Sequence, residues 1–267
     1  GSGGGSCNGA SDGGGIDAYS STVTVQNSII SGNSSTGFGG GLHAWWANAI
    51  VTVEDSTFTG NSTQYGGGAL YFAAAGFSSS SIRLPRNTFT GNTASAAKGG
   101  VLSLSGVTTS SIIGGTMDDA NYITNIPSDA VYISGNPHFN YNDISNNTGT
   151  FALICGNSSS AAPIDATNNY WGTTNEAIIK VLIWDALDDA SLGAVTYKPF
   201  LNESPNPQPT AGVIITQSGG STDVTEGGAP DTYTVVLQSQ PTANVTVTAT
   251  PDAQVSVSPT SLTFTSA

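Results

Sequence analysis

A chain of 267 residues carries 18 Asp+Glu against 5 Lys+Arg, a formal net charge of −13, with 34 Gly and only 9% charged residues. That acidity argues against nucleic acid or an anionic membrane as partner. No run of roughly 18 apolar residues is present to span a bilayer.

The chain opens on Gly1-Ser2-Gly3, with no initiator methionine and no signal peptide. It therefore reads as a mature or partial piece of something longer. Glycine clusters follow at Gly13-Gly14-Gly15-Ile16, Gly39-Gly40-Gly41-Leu42 and Gly66-Gly67-Gly68-Ala69, and Gly99-Gly100-Val101-Leu102 restarts the pattern. Each of the first three units closes on a similar stretch: Ile30-Ser31-Gly32-Asn33, Phe58-Thr59-Gly60-Asn61 and Phe89-Thr90-Gly91-Asn92. The large apolar anchor recurs as Ile30, Phe58, Phe89, Met117, Ile144 and Trp171, at spacings of 28, 31, 28, 27 and 27 residues. Self-similarity of this period marks a repeat architecture.

Five residues before the anchor stand Val25, Val53, Leu84, Ile112, Phe139 and Ala166; seven before stand Val23, Val51, Ile82, Ser110, Pro137 and Ile164. Between them lie Thr24, Thr52 and Arg83. This period-two alternation predicts a strand with one inward face. Asn33, Asn61, Asn92 and Asn147 stand three after the anchor, and Asn87, Asn142 and Asn169 two before it. Asn tolerates left-handed corners, and stacked Asn side chains bond to one another as ladders. Short strands with Gly/Asn corners predict coils of a parallel β-helix, stacked at about 4.8 Å. The fold class is thus all-β: a right-handed parallel β-helix over 1–172, capped by 173–201, where Glu176 to Asp185 reads as a short helix or irregular strand.

Gly67-Gly68-Ala69-Leu70 with Phe58-x-x-Asn61 and Phe89-x-x-Asn92 resembles the repeats of chlamydial polymorphic membrane proteins, and more broadly bacterial secreted right-handed β-helix proteins. Asn168-Asn169-Tyr170-Trp171-Gly172 is similar to the last-coil motif of such proteins, and Tyr197-Lys198-Pro199-Phe200-Leu201 to their closing segment. The resemblance spans about 13–201. It implies the fold strongly and the function weakly, since members include adhesins, surface proteins and polysaccharide-acting enzymes.

Alternate prolines make 202–211 a linker. Beyond it, alternation at Tyr233, Val235 and Leu237, at Val245 and Val247, and at Val255 and Val257 predicts an antiparallel β-sandwich over 212–267 that lacks strands. Val224-Thr225-Glu226-Gly227-Gly228 followed by Asp231-x-Tyr233-x-Val235-x-Leu237 resembles Calx-beta modules of bacterial surface proteins. That resemblance implies calcium at Glu226, with Asp231 the next carboxylate of the motif. No other cofactor is expected.

Cys7 and Cys155 fall about five coils apart, too far for a disulfide unless residues 1–12 fold back along the rod. Asp118-Asp119, on a corner, reads as a solvated turn rather than a cation site, and so does the group Asp185, Asp188 and Asp189. The six Asn-x-Ser/Thr sequons, at Asn33, Asn61, Asn146, Asn157, Asn202 and Asn244, do not establish glycosylation in a chain so rich in these residues.

A β-helix lyase, epimerase or hydrolase needs titratable groups converging on one face. The candidates are Arg83, Arg86, Lys98, Lys180, Lys198, His43 and His138, with Glu54 and Asp55, and by register no three of them converge. Catalysis is therefore not expected. If Ile16, Leu42, Ala69 and Val101 point inward, then Tyr19, Trp45, Phe72 and Leu104 point outward as an exposed apolar ladder for glycan or protein. A bulge that flips the phase makes them core instead. Composition and architecture together predict a secreted or cell-surface structural or adhesion protein. Its partners would be copies of itself, neighbouring domains of a longer chain, or glycans. An uncovered first coil and an incomplete sandwich would suit a filament subunit, and a segment cut from a longer adhesin is the competing account.

Overall fold

The computed structural model describes residues 12–74, 79–95, 99–205, 212–237 and 244–265. The chain divides into two compact units, one running to residue 208 and one from 209 onward.

The first unit is a parallel β-solenoid of about six turns. One seven-stranded sheet stacks Ile16–Tyr19, Leu42–Trp45, Leu70–Ala73, Leu102–Val107, Val131–Gly135, Leu153–Cys155 and Ile183–Trp184. A second stacks Thr22–Gln26, Ile50–Glu54, Ser81–Leu84, Ile112–Gly114, His138–Asn140, Ile164–Asp165 and Val195–Thr196. A third, of four strands, comprises Ile29–Ser31, Thr57–Thr59, Thr88–Thr90 and Tyr122–Thr124; a short fourth holds Ser34–Ser35, Ser62–Thr63 and Thr93–Ala94. Each strand pairs with its counterpart one coil away, so alternation buries every second side chain and the inner rows run along the solenoid. Leu42, Leu70, Leu102, Val131 and Leu153 form one fully buried row; Phe72, Leu104 and Ile133 form another.

The glycine clusters are steric requirements of the coil, not loose linkers. Gly13, Gly39, Gly67 and Gly99 hold φ between 64° and 69°, which L side chains rarely adopt. At the next position a Cβ on Gly40 would lie 2.4 Å from the Gly68 carbonyl oxygen, and one on Gly68 2.3 Å from that of Gly100. Gly41 stands in the column that Ala69 and Val101 share, yet a Cβ there would lie 2.6 Å from the Ala69 carbonyl oxygen and 2.9 Å from the Phe58 ring. The cluster Gly66-Gly67-Gly68 is therefore offset by one from Gly39-Gly40-Gly41, because Gly66 pairs with Phe38. Leu42 consequently pairs with Leu70 and not Ala69, and Leu70 with Leu102. This corrects the expected ladder: Phe72 and Leu104 face inward and are fully buried.

The anchor column needs a second correction. Ile30, Phe58 and Phe89 are paired and buried, the two phenylalanine rings stacking at 5.3 Å. Phe89 then pairs with Ile123, while Met117 is 42% exposed. The step from Phe89 to Ile123 is 34 residues and that from Ile123 to Ile144 only 21. An enlarged coil followed by a shortened one keeps the average period and conceals the slip. The second sheet also shifts by one residue in that coil: Ile113 and Ser111 are buried, and Ile112 pairs with the outward Arg83.

Two asparagine ladders hold the corners. The Nδ2 of Asn33 donates to Oδ1 of Asn61 at 3.1 Å, and that of Asn61 to Asn92 at 2.9 Å. In the next coil Ile126 occupies the position, and its backbone N–H donates to Oδ1 of Asn147, so Asn147 continues the column without bonding Asn92. The second ladder runs Asn87, Asn121, Asn142, Asn169, with Nδ2 to Oδ1 distances of 3.1, 2.8 and 3.0 Å. All four are buried. Positive φ at Gly32, Gly60, Gly91, Asn125 and Asn146 turns the chain after the third sheet.

Beyond the last full coil, the helix Glu176–Val181 is N-capped by Asn175, whose Oδ1 accepts from the Ala177 N–H at 3.0 Å, and it buries Ile179. The start of the expected linker is docked: Pro205 is buried, the Tyr122 hydroxyl donates to its carbonyl at 3.0 Å, and Ser204 donates to Asp143.

The second unit pairs Val213–Gln217 with Tyr233–Leu237 and Val245–Thr248 with Ser261–Phe264, both antiparallel. No described side chain in it is buried. Val255 and Val257, expected in a strand, lie outside one; Pro259, close behind, has no N–H to give a ladder. Among the described residues no helix is long and apolar enough to cross a membrane.

Candidate functional site

The outer side of the first sheet gathers aromatic rings over the first three coils. Register places Tyr19 beside Trp45, and Asp17 beside His43 beside Tyr71. Trp46 follows with φ 87°, which turns its ring back over Tyr19: the two stack at 5.9 Å, 19° from parallel. Trp45 stands nearly perpendicular to both, at 5.5 Å from Tyr19 and 5.0 Å from Trp46. Before the other end of the strand Phe38 lies 4.5 Å from Tyr71 and 5.5 Å from Tyr65. His43 joins the two halves, 5.3 Å from Tyr71 and 6.2 Å from Trp45. The rings form one connected surface on a hydrogen-bonded sheet, with Tyr19 55%, Tyr65 44% and Trp46 39% exposed.

Two carboxylates are set into this face. Asp17 Oδ1 lies 2.8 Å from Nδ1 of the buried His43. The Phe38 N–H donates to Oδ1 of Asp12 at 2.8 Å. Burial, then the nearby charges of Asp12 and Tyr132, push the Tyr71 phenol above its ordinary value, so it stays a hydrogen-bond donor at neutral pH.

Of the four residues expected on an exposed ladder, Tyr19 and Trp45 lie on this face and Phe72 and Leu104 do not. Sequence reasoning missed Phe38, His43, Trp46, Tyr65 and Tyr71. A signal was present, since Phe38 and Tyr65 directly precede the glycine clusters and Trp46 follows Trp45.

A second cluster contradicts the expectation that no three titratable groups converge. Arg86 binds Asp55 through two nitrogens, at 2.8 and 2.9 Å, and Asp119 at 2.7 Å; Arg83 reaches Asp119 at 3.4 Å and Glu54 at 3.9 Å. The Asp55 hydrogen bond, with the neighbouring carboxylates, raises the Arg86 value further, against the opposing effect of burial. The enlarged coil delivers Asp119 to this corner, which constant spacing does not foresee. The pairing ties three coils together, and the arginines already occupy the carboxylates.

Among the described residues no three His, Cys, Asp or Glu lie close enough to hold a metal. Asp231 serves its own loop: it accepts from the Ser218 hydroxyl first and then from the N–H groups of Asp223 at 2.9 Å and Thr232 at 2.7 Å, which together lower its value. Glu226 stays exposed on its turn. His138 lies 3.6 Å from Asp165 on the exposed outer face. Cys155 is free and buried, and burial raises its thiol value. Cys7 and Lys98 lie outside the described residues.

The chain matches no protein-family model, no curated protein and no solved structure.

Proposed function

We propose that this chain is a non-catalytic, extracellular or cell-surface structural and adhesion protein, its solenoid a stiff scaffold that presents the aromatic face as its contact surface. The observation that carries the reading is the connected patch of Tyr19, Trp45, Trp46, Phe38, Tyr65 and Tyr71, held on a parallel sheet with several rings open to solvent. Exposed contiguous apolar surface marks interaction sites, and aromatic residues dominate contact energetics. The acidic, lysine-poor composition suits an exported chain. The Calx-beta likeness of residues 224–237 fits the same setting, and assembly with further copies or domains is part of the proposal.

Beads coated with purified protein test it, by their attachment to intact bacterial cells under flow. The triple variant Tyr19→Ala, Trp45→Ala, Tyr65→Ala is expected to reduce retention about tenfold or more, the loss of roughly 1.4 kcal/mol. Equal retention by parent and triple variant would refute the assignment of the face. Turnover of pectin or alginate that disappears on replacing Arg83 or Arg86 would refute the non-catalytic reading.

A further inference from the structure

Resting on that reading of the face, we infer that its ligand is an uncharged polysaccharide, bound by stacking of sugar rings on Tyr19, Trp45 and Tyr65 with hydroxyl hydrogen bonds to Asp17. Three observations select this class. Tyr19 and Trp45 sit on paired strands one coil apart with ring centroids 5.5 Å from each other, close to the length of one sugar unit in an extended chain, and Tyr65 stands at the bend before the next coil's strand. Apolar ring surface beside a few fixed polar groups is the usual make-up of a small-ligand site. Here the fixed polar groups include a carboxylate acceptor: Asp17 holds His43 through Oδ1, and its side chain is 30% exposed to a hydroxyl donor. Sugar hydroxyls are such donors, and bonds to a charged acceptor are the stronger kind.

The third observation is electrostatic. Arg83 and Arg86 are taken up by Glu54, Asp55 and Asp119, and Lys180 and Lys198 both pair with Glu176. Among the described residues every lysine and arginine is thus engaged away from the aromatic face. A uronic or sulfated polymer would meet Asp12 and Asp17 with no cation to offset them, in a chain of net charge −13. The site therefore discriminates against acidic glycans by repulsion and accepts neutral ones by stacking.

Native gel electrophoresis of the full chain tests this, in gels cast with hydroxyethylcellulose, glucomannan or xyloglucan, and separately with polygalacturonate or alginate. Retardation is expected in at least one neutral gel and in neither acidic gel. It should persist when salt is raised from about 0.05 to 0.5 M, because stacking is not screened. Tyr19→Ala and Tyr65→Ala, both at exposed rings whose loss leaves the core intact, should each weaken retardation at least threefold; Leu187→Ala, exposed elsewhere, should leave it unchanged. No retardation in any neutral gel, equal retardation in acidic gels, or full retardation in both tyrosine variants overturns the inference. If the gels are negative while bead attachment still depends on the rings, the ligand class is wrong and the adhesive reading survives. If neither depends on the rings, both fall.

Discussion

Asn121 has no side-chain freedom to spare. Its Nδ2 donates to the Leu84 carbonyl and to Asn142, and its Oδ1 accepts from the Asn87 backbone at 2.8 Å and from the Asn87 side chain. Replacing it by Leu strands buried donors and acceptors in the neighbouring coils, each worth about 1–3 kcal/mol. Asn121→Leu should therefore lower unfolding free energy by about 3 kcal/mol in denaturant titration, whereas Asn202→Ala, on the exposed surface, should stay within about 0.5 kcal/mol. The corrected anchor column yields a paired test. Ile123→Ala removes a fully buried side chain and should cost about 2–5 kcal/mol, as should Phe58→Ala or Phe89→Ala at the upper end. Met117→Ala, on the exposed bulge, should cost at most about 0.5 kcal/mol. At Gly68 an added methyl meets two backbone oxygens at 2.3 Å, those of Gly100 and Thr93, and neither belongs to a flexible side chain. Gly68→Ala is thus expected to destabilise by about 1–3 kcal/mol or more, and Gly41→Ala, whose methyl would meet the Ala69 carbonyl oxygen at 2.6 Å and the Phe58 ring at 2.9 Å, should destabilise as well.

A coil is legible in sequence where its length is constant. Glycine clusters, Phe-x-x-Asn closures and period-two alternation identify the first three coils, and the parallel stacking follows from them. Legibility fails where a coil changes length, because spacing reports only the average. The bulge around Met117 hid Ile123, hid Asn121 two residues before it, and carried Asp119 to Arg86. A one-residue offset of the glycines likewise turned Phe72 and Leu104 from expected surface into core. The aromatic face was half legible: strand alternation found Tyr19 and Trp45, but Phe38, Tyr65 and Trp46 lie at strand ends, where alternation says nothing about direction. The cap adds a pH test. Hydrogen bonds first from Lys198, at 2.5 Å, and then from Tyr197 lower Glu176 to about 2, from an ordinary 4.5. A depressed carboxyl stabilises the fold fully above its unfolded value and ceases to as pH falls through the folded one. Glu176→Gln should therefore melt below the parent by a small, constant margin above pH 4.5, and the difference should close between pH 4.5 and about 2. The margin is small because the pair is exposed and screened.

The two units differ in what holds them. The solenoid has continuous buried rows from Ala18 to Val195, hydrogen-bonded coil to coil, while the described part of the second unit contains no buried side chain and pairs its strands only two by two. Isolated two-stranded sheets are marginal in water, and opening free energy follows buried apolar contact. In dilute solution, amides of Val213–Gln217 and Tyr233–Leu237 should therefore exchange with deuterium orders of magnitude faster than those of Val131–Gly135, which sits between two paired strands. The exposed apolar positions of the second unit, among them Ile214, Ile215, Val236 and Val245, lie on these weakly held strands. Unpaired strand edges are templates for another chain. If copies associate through them, as the structural reading proposes, protection of these amides should rise with protein concentration and the core strands should not change. Slow exchange at every dilution would show instead that the second unit is stable alone, and would remove it as the site of self-assembly. Fast exchange even in concentrated solution would leave the aromatic face as the contact surface and place assembly outside these strands.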